Sequence, residues 1–324
     1  MGAMIPFREP SPEDREAVFR AVSASGCAGS DASFANLFLL RRKYGTLAAL
    51  RDGFLFRLYR GKGSRRGYAF PLGPGDPGPA LDAVRADAEE SGRPLEFCLV
   101  DEARAGILKA KFGDAVRFEP ERGDADYLYR ASDLAELPGR AYMKKRNHVA
   151  RFARNFPGAE LVPLGPETAG DARAVERRWL GEAGPEGAAD EAAEAERSED
   201  AASRLAEAGA IEEALERFDA LGLRGALLRV AGEPVAMTMA SEISPGIWDV
   251  HFEKAVGEAA AGGAYAAINK LFAASLPGAV LINREEDLGI EGLRRAKLSY
   301  GPSAILEKCR AVVDLDALRR REGR

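Results

Sequence analysis

Three stretches of the chain gather ionisable side chains at spacings that could do chemistry. In IWDVHFEK, Asp249, His251 and Glu253 alternate with Trp248, Val250 and Phe252, so a β-strand would present the three polar groups on one face. Such a face can take a proton from an attacking amine or hydroxyl, with Glu253 or Asp249 as general base. If the same face met only water, the alternation would mean nothing beyond a half-buried strand.

The second stretch is the basic run YMKKRNHVARFARNF, residues 142–156. A 3.6-residue period places Tyr142, Val149, Phe152, Ala153 and Phe156 on one side and Lys144, His148, Arg151 and Asn155 on another. Lys144, Lys145, Arg146 and Asn147 open the run and are candidates to hold phosphate or carboxylate groups. The plainer alternative is a solvated helix balanced by acidic surface elsewhere.

The third is LINREEDLGIEGLRRAKLSYGP, where an apolar strand runs into Asn283, Arg284, Glu285, Glu286 and Asp287. Ligands of open α/β sheets sit at such carboxyl ends. Arg284 could clamp an anion bidentately, with Asn283 beside it, and Asp287 is either part of the cluster or a helix cap. Between these stretches, adjacent Gly262 and Gly263 precede an alanine-rich helix. They either bare backbone N–H groups to an anion or make a tight turn.

The elements that must position these groups are legible in outline. Helices are expected over 10–25 and 33–44, strands over 47–50, 54–59 and 68–72 around an Asp52-Gly53 turn, then a helix over 80–91, a strand over 95–100, a helix over 102–112 and a strand over 126–130. GKGSRRG lacks the spacing of a phosphate loop and joins two strands. After the basic run come a short strand, an acidic alanine-rich helical insertion around 165–221 broken near 184–191, and three antiparallel strands over 223–253. A helix over 264–276, a strand over 279–283, a helix over 290–299 and a last strand over 304–313 follow. The second half repeats the outline of the first, which predicts an α+β chain of two domains, 1–135 and 136–324.

Composition narrows the function classes. The chain has 324 residues, 46% hydrophobic and 30% charged, with net charge −5. That balance fits a globular protein and argues against general coating of nucleic acid, while leaving local basic patches open. Three scattered cysteines and two histidines supply neither a disulfide framework nor a zinc set, and point to a reducing cytoplasm. No apolar run approaches a membrane span, so only peripheral membrane contact is open.

The segments DADYLYRASDLAELPGRAYMKKRNHVARF, HFEKAVGEAAAGGAYAAINKLF and INREEDLGIEGLRRAKLSYGPS together resemble a bacterial family of unknown function related to the C-terminal domain of phosphatidylglycerol lysyltransferases. The resemblance covers nearly the whole chain. It implies two tandem acetyltransferase-like (GNAT-like) domains, each a mixed, mostly antiparallel sheet flanked by helices, as in the peptidoglycan-bridge aminoacyltransferases. The better-understood relatives move an amino acid from aminoacyl-tRNA to a lipid hydroxyl or a peptidoglycan amine.

On that footing the expected activity is aminoacyl or acyl transfer at an interdomain cleft, with Tyr265 or Tyr300 protonating the leaving oxygen. The donor is aminoacyl-tRNA or a coenzyme A thioester, and the alternatives are a coenzyme A dependent N-acetyltransferase or a non-catalytic module for tRNA or a small anionic ligand. The chain departs from the acetyltransferase pyrophosphate loop, Q/RxxGxG/A, because Gly262 and Gly263 are adjacent and no Arg or Gln stands at the expected place.

Overall fold

The structure is a computed structural model that describes residues 4–61, 63–182 and 191–322, with backbone alone over 191–202 and at 322. Lys62 of the glycine loop and residues 184–190 of the expected acidic break lie outside these residues. The strands are β1 (Thr46–Arg51), β2 (Phe54–Arg60), β3 (Arg66–Ala69), β4 (Leu95–Asp101), β5 (Val116–Pro120), β6 (Asp126–Arg130) and β7 (Glu160–Leu164). They continue with β8 (Leu223–Val230), β9 (Glu233–Ser244), β10 (Ile247–Ala255), β11 (Leu281–Glu286), β12 (Ala304–Leu306) and β13 (Lys308–Val313). The chain divides into two compact units. Unit 1 holds residues 1–128, 243–247 and 283–324, and unit 2 holds 129–242 and 248–282.

Unit 1 is built on a six-stranded sheet in the order β1-β2-β3-β4-β13-β5. The β1–β2 hairpin closes where Asp52 and Gly53 both adopt positive φ, the backbone that a tight two-residue turn requires. Because β3 and β4 run parallel, the chain must cross over between them, and the helix Gly78–Ser91 makes that crossing. The strand expected over 304–313 is in fact two. β12 pairs with β6, and β13 lies antiparallel between β4 and β5. Glu307 separates them.

Charged groups fill part of the unit 1 interior. Lys308 Nζ sits 3.0 Å from both Asp31 Oδ1 and Asp126 Oδ2, while Arg57 Nη1 donates to Asp31 Oδ2 at 2.6 Å. Ser30 donates its N–H and its hydroxyl to the two oxygens of Asp126. Arg65 and Glu286 form a further buried pair, with the guanidinium stacked over Tyr44. Removing one partner of such a pair leaves an uncompensated buried charge, which costs about 3–5 kcal/mol. The network thereby ties β13, at the end of the chain, to residues near its start.

Unit 2 carries the strand run β10-β9-β8-β7, with β7–β8 and β8–β9 antiparallel. On either side of the residues left undescribed, the acidic insertion carries the helices Ala169–Glu182 and Glu191–Glu216. Arg229 pairs with Asp171, and Lys254 Nζ reaches Glu207 Oε2 at 2.7 Å beneath the Trp179 ring, so the insertion is tethered to β8 and β10 by ion pairs. The basic run is the helix Met143–Asn155. Its Phe152 packs with Leu228, Val235, Ala236, Ala255, Ala264 and Ile268, and Phe156 and Tyr265 close the edge of that cluster. Ala153, expected on the same apolar side, is exposed, so the buried stripe is narrower than the periodicity suggested.

Candidate functional site

The basic helix lies mostly in solvent. Lys144, Arg146, Asn147, His148, Arg151 and Arg154 are exposed, Lys145 is half-buried, and no acidic residue occurs in the helix. Two of its cations are also structural. Arg146 Nη1 donates to Leu137 O and Gly139 O at 2.5 and 2.6 Å, which fixes the turn leading into the helix. Arg151 donates through Nε to Gly262 O at 3.1 Å and through Nη2 to Ala261 O at 2.9 Å. The same Nη2 lies 3.1 Å from His148 Nδ1, so His148 accepts there and carries its proton on Nε2. Burial first, then the Arg151 and Lys145 charges, hold His148 below the ordinary histidine value. Asn147, His148, Ala150, Arg151 and Arg154 line an open hollow of about 320 Å³. A second of about 390 Å³ is bordered by Arg151, Asn155, Phe156, Glu258, Ala261 and Gly262.

Gly262 and Gly263 face this helix closely. A Cβ on Gly262 would lie 2.6 Å from the Phe156 ring, and one on Gly263 2.5 Å from His148 O. Gly263 also has φ +115 and spends its N–H on Ala260 O. What the two glycines supply here is close helix approach.

On β10, the face bearing the polar groups is not solvated. Asp249 is fully buried and the His251 side chain is 3% exposed, while Glu253 is half-buried. His251 is bracketed: its Nδ1 lies 3.4 Å from Asp249 Oδ2 and its Nε2 lies 2.8 Å from Ser241 Oγ on β9, the neighbouring strand. With Nδ1–H directed at the carboxylate, Nε2 is the acceptor for the serine hydroxyl. Glu253 Oε2 accepts from Asn269 Nδ2 at 3.2 Å, and the Tyr265 hydroxyl donates to Ala255 O at 3.4 Å. Lys144 to Asn147, Asp249, His251, Glu253, Gly262, Gly263 and Tyr265 therefore all belong to unit 2.

Asn283, Arg284 and Tyr300 belong to unit 1. Asn283 is fully buried, donates to Ala28 O and Asp126 Oδ2, and accepts from the Glu285 N–H at 2.7 Å. Arg284 stacks over the Tyr300 ring at 4.8 Å. Glu285 has φ +57, a conformation that costs a non-glycine residue of order 1 kcal/mol, and it accepts from Asn36 Nδ2. Lys297, which the sequence did not single out, is buried and donates to the carbonyls of Arg284 and Glu286.

Asp287 does not cap the helix Glu291–Leu298, whose N-cap is Ile290. Instead it gathers Arg122, Tyr127, Arg294 and the Gly289 N–H. Burial pushes its carboxyl up, but these donors outweigh that and hold it well below the usual carboxylate range. Ser241 was likewise missed. A serine in VAMTMASE carries no spacing signal, and only the adjacency of β9 and β10 shows its partner.

The described residues form an α+β fold with two helix-flanked sheets. Residues 24–312 match the model of the family "Phosphatidylglycerol lysyltransferase, C-terminal", and the chain belongs to that family. A conserved protein of unknown function from Bacteroides thetaiotaomicron is 35% identical, with a TM-score of 0.85 over 96% of this chain and 100% of that one. The L-PGS structure from Bacillus licheniformis shares the fold at 18% identity and TM-score 0.62, each chain covered to 97%. FemX shares it at 11% identity and TM-score 0.54, over 98% of this chain and 99% of that one. A comparison with curated proteins found no match. Among the described residues, no helix is long and apolar enough to cross a membrane.

Proposed function

We propose that the chain is an aminoacyl or acyl transferase that moves an amino acid from the ester of an aminoacyl-tRNA to an amine or hydroxyl acceptor. The observation that carries this reading is the exposed, acid-free basic helix Met143–Asn155, anchored through Phe152 on a cluster that includes Ala255, two residues from Glu253. Its apolar side is occupied by the unit 2 core, so what it offers outward is positive charge and amide groups, suited to a phosphate backbone. The acceptor attacks the ester carbonyl and gives its proton to Glu253, whose carboxylate is oriented by Asn269. Tyr265 is the unit 2 candidate to return a proton to the leaving ribose oxygen. Coenzyme A is supported less well as donor, because Gly263 already spends its N–H on Ala260 O and packs against His148.

The test mixes the purified protein with charged tRNAs and candidate acceptors and follows the labelled amino acid. Glu253→Gln is expected to cut transfer by roughly 100-fold or more with tRNA binding retained. Unchanged transfer removes Glu253 from the mechanism. Salt-sensitive tRNA binding with no transfer to any acceptor makes the protein a binding module instead.

A further inference from the structure

We propose that the hollow bordered by Asn147, His148, Ala150, Arg151 and Arg154 is a seat for a phosphate monoester, and that this monoester is the 5′-terminal phosphate of the donor tRNA. The second half of the inference rests on the transferase reading; the first does not. All five bordering residues are exposed, so the hollow opens to solvent, and its volume of about 320 Å³ leaves room for a phosphate group. Two guanidiniums border it and no carboxylate does, whereas the adjoining hollow, which shares Arg151, has Glu258 in its wall. A terminal monoester carries roughly two negative charges and three strong acceptor oxygens near pH 7, more than a backbone diester presents. The charge of the hollow matches the monoester.

The donors are held ready before any ligand arrives. Arg151 is locked through Nε and Nη2 on the carbonyls of Gly262 and Ala261, at the carboxyl end of the helix Gly257–Gly262, and its Nη1 has no partner among the described residues. Asn147 and Arg154 make no side-chain hydrogen bond or ion pair among the described residues, so their donors are unspent. His148 accepts from Arg151 on Nδ1, which leaves its Nε2–H to give. Such preorganisation lowers the ordering cost of binding. An interior diester is flanked by nucleotides on both sides and lies along a surface, whereas a terminal phosphate can enter a hollow. The aminoacylated 3′ end of a tRNA extends from the stem whose other strand ends in the 5′ phosphate, so a donor delivered to unit 2 brings that monoester with it. Coenzyme A carries a monoester on its ribose and is the other source of the same chemistry. A bound dianion also acts on His148, which the Arg151 and Lys145 charges join burial in holding below the ordinary histidine value. The helices packed against it, Gly257–Gly262 and Ala264–Ser275, add Glu258, Tyr265 and Lys270; Glu258 borders the adjoining hollow and Tyr265 donates to Ala255 O. The dianion opposes the two cations and moves His148 upward.

The full-length protein is titrated at one fixed salt concentration with an acceptor-stem minihelix bearing a 5′ phosphate or a 5′ hydroxyl, and separately with coenzyme A or 3′-dephospho-coenzyme A. The phosphorylated minihelix is expected to bind roughly tenfold tighter or more, and Arg154→Ala to erase the difference. Thermal melts confirm that the variant is folded. His148 is one of two histidines in the chain, so its imidazole NMR signal is readily assigned, and its titration should move to higher pH with the phosphorylated minihelix but not with the hydroxyl one. Equal affinity, or no binding, for both members of both pairs overturns the site. Discrimination that survives in folded Arg154→Ala, or a His148 titration indifferent to the phosphate, also overturns it. Discrimination between the two coenzyme A forms but not between the minihelices keeps the monoester seat and overturns its assignment to tRNA. Preference for the phosphorylated minihelix by a protein that transfers no amino acid keeps the seat and removes the transferase reading.

Discussion

Unit 1 and unit 2 use charge in opposite ways. In unit 1, Asp31, Arg57, Asp126 and Lys308 are buried and meet each other at 2.6 to 3.0 Å, so their charges are consumed in joining β13 to the start of the chain. In unit 2, the helix Met143–Asn155 turns Lys144, Arg154 and most of its other cations to solvent. Buried charge must be paired because its desolvation is costly, and it therefore serves architecture. Exposed charge contributes little to stability and is open to a mobile polyanion.

The contrast breaks most visibly at Lys308. Lys308→Met leaves Asp31 and Asp126 without their shared cation, and urea denaturation should show a loss of about 3–5 kcal/mol. The network also sets a pH window. Burial pushes the Asp31 carboxyl up, but Lys308 and Arg57 overcome that and hold it well below its ordinary value. Burial would lower Lys308, yet Asp126 and Asp31 raise it well above the lysine value. Asp31 titrates lower folded than unfolded. Its contribution is therefore complete above about pH 3.9 and is lost as pH falls from there through the folded value. Lys308 titrates higher folded than unfolded, so its contribution is complete below about pH 10.4 and is lost as pH rises through its folded value. Denaturation midpoints should reach a plateau between those limits, and in Lys308→Met the alkaline decline should flatten.

Gly263→Ala tests unit 2 packing rather than charge. The new Cβ would meet His148 O at 2.5 Å on a backbone with positive φ, so a loss of roughly 1–3 kcal/mol is expected from thermal melts. The smallest stability effect belongs to the surface. Replacing Lys144 and Arg154 by Ala should leave stability within about 0.5 kcal/mol. The same pair should weaken tRNA binding and lower its salt slope by up to about 1 for each phosphate no longer neutralised. An unaltered slope would place the nucleic-acid surface elsewhere.

Much of the local structure was legible because it depends on neighbours in sequence. The hairpin at Asp52 and Gly53, the cap that Asp101 provides for the helix Glu102–Phe112, and the extent of the basic helix all follow from turn chemistry and period. The strand β5 escaped notice because VRFEP is short and half polar. The last strand read as one run because apolar residues stand on both sides of Glu307 and Lys308, and only pairing partners distinguish β12 from β13.

By itself the sequence determined the α+β class and the residue types on β10 and the basic helix, since these are matters of composition and short-range periodicity, while three long motifs carried the resemblance to the family. The tertiary structure alone decided that Asp249 and His251 are buried and that Ser241 is their neighbour. It also decided that Asn283 is spent inside unit 1, that the glycine pair serves helix approach, and that residues 283–324 return to the unit where the chain begins. The physical reason is the same in each case. Hydrogen bonds such as Ser241 to His251 and ion pairs such as Lys308 to Asp31 depend on which strands become neighbours, and strand order is fixed by packing of the whole chain rather than by any local stretch.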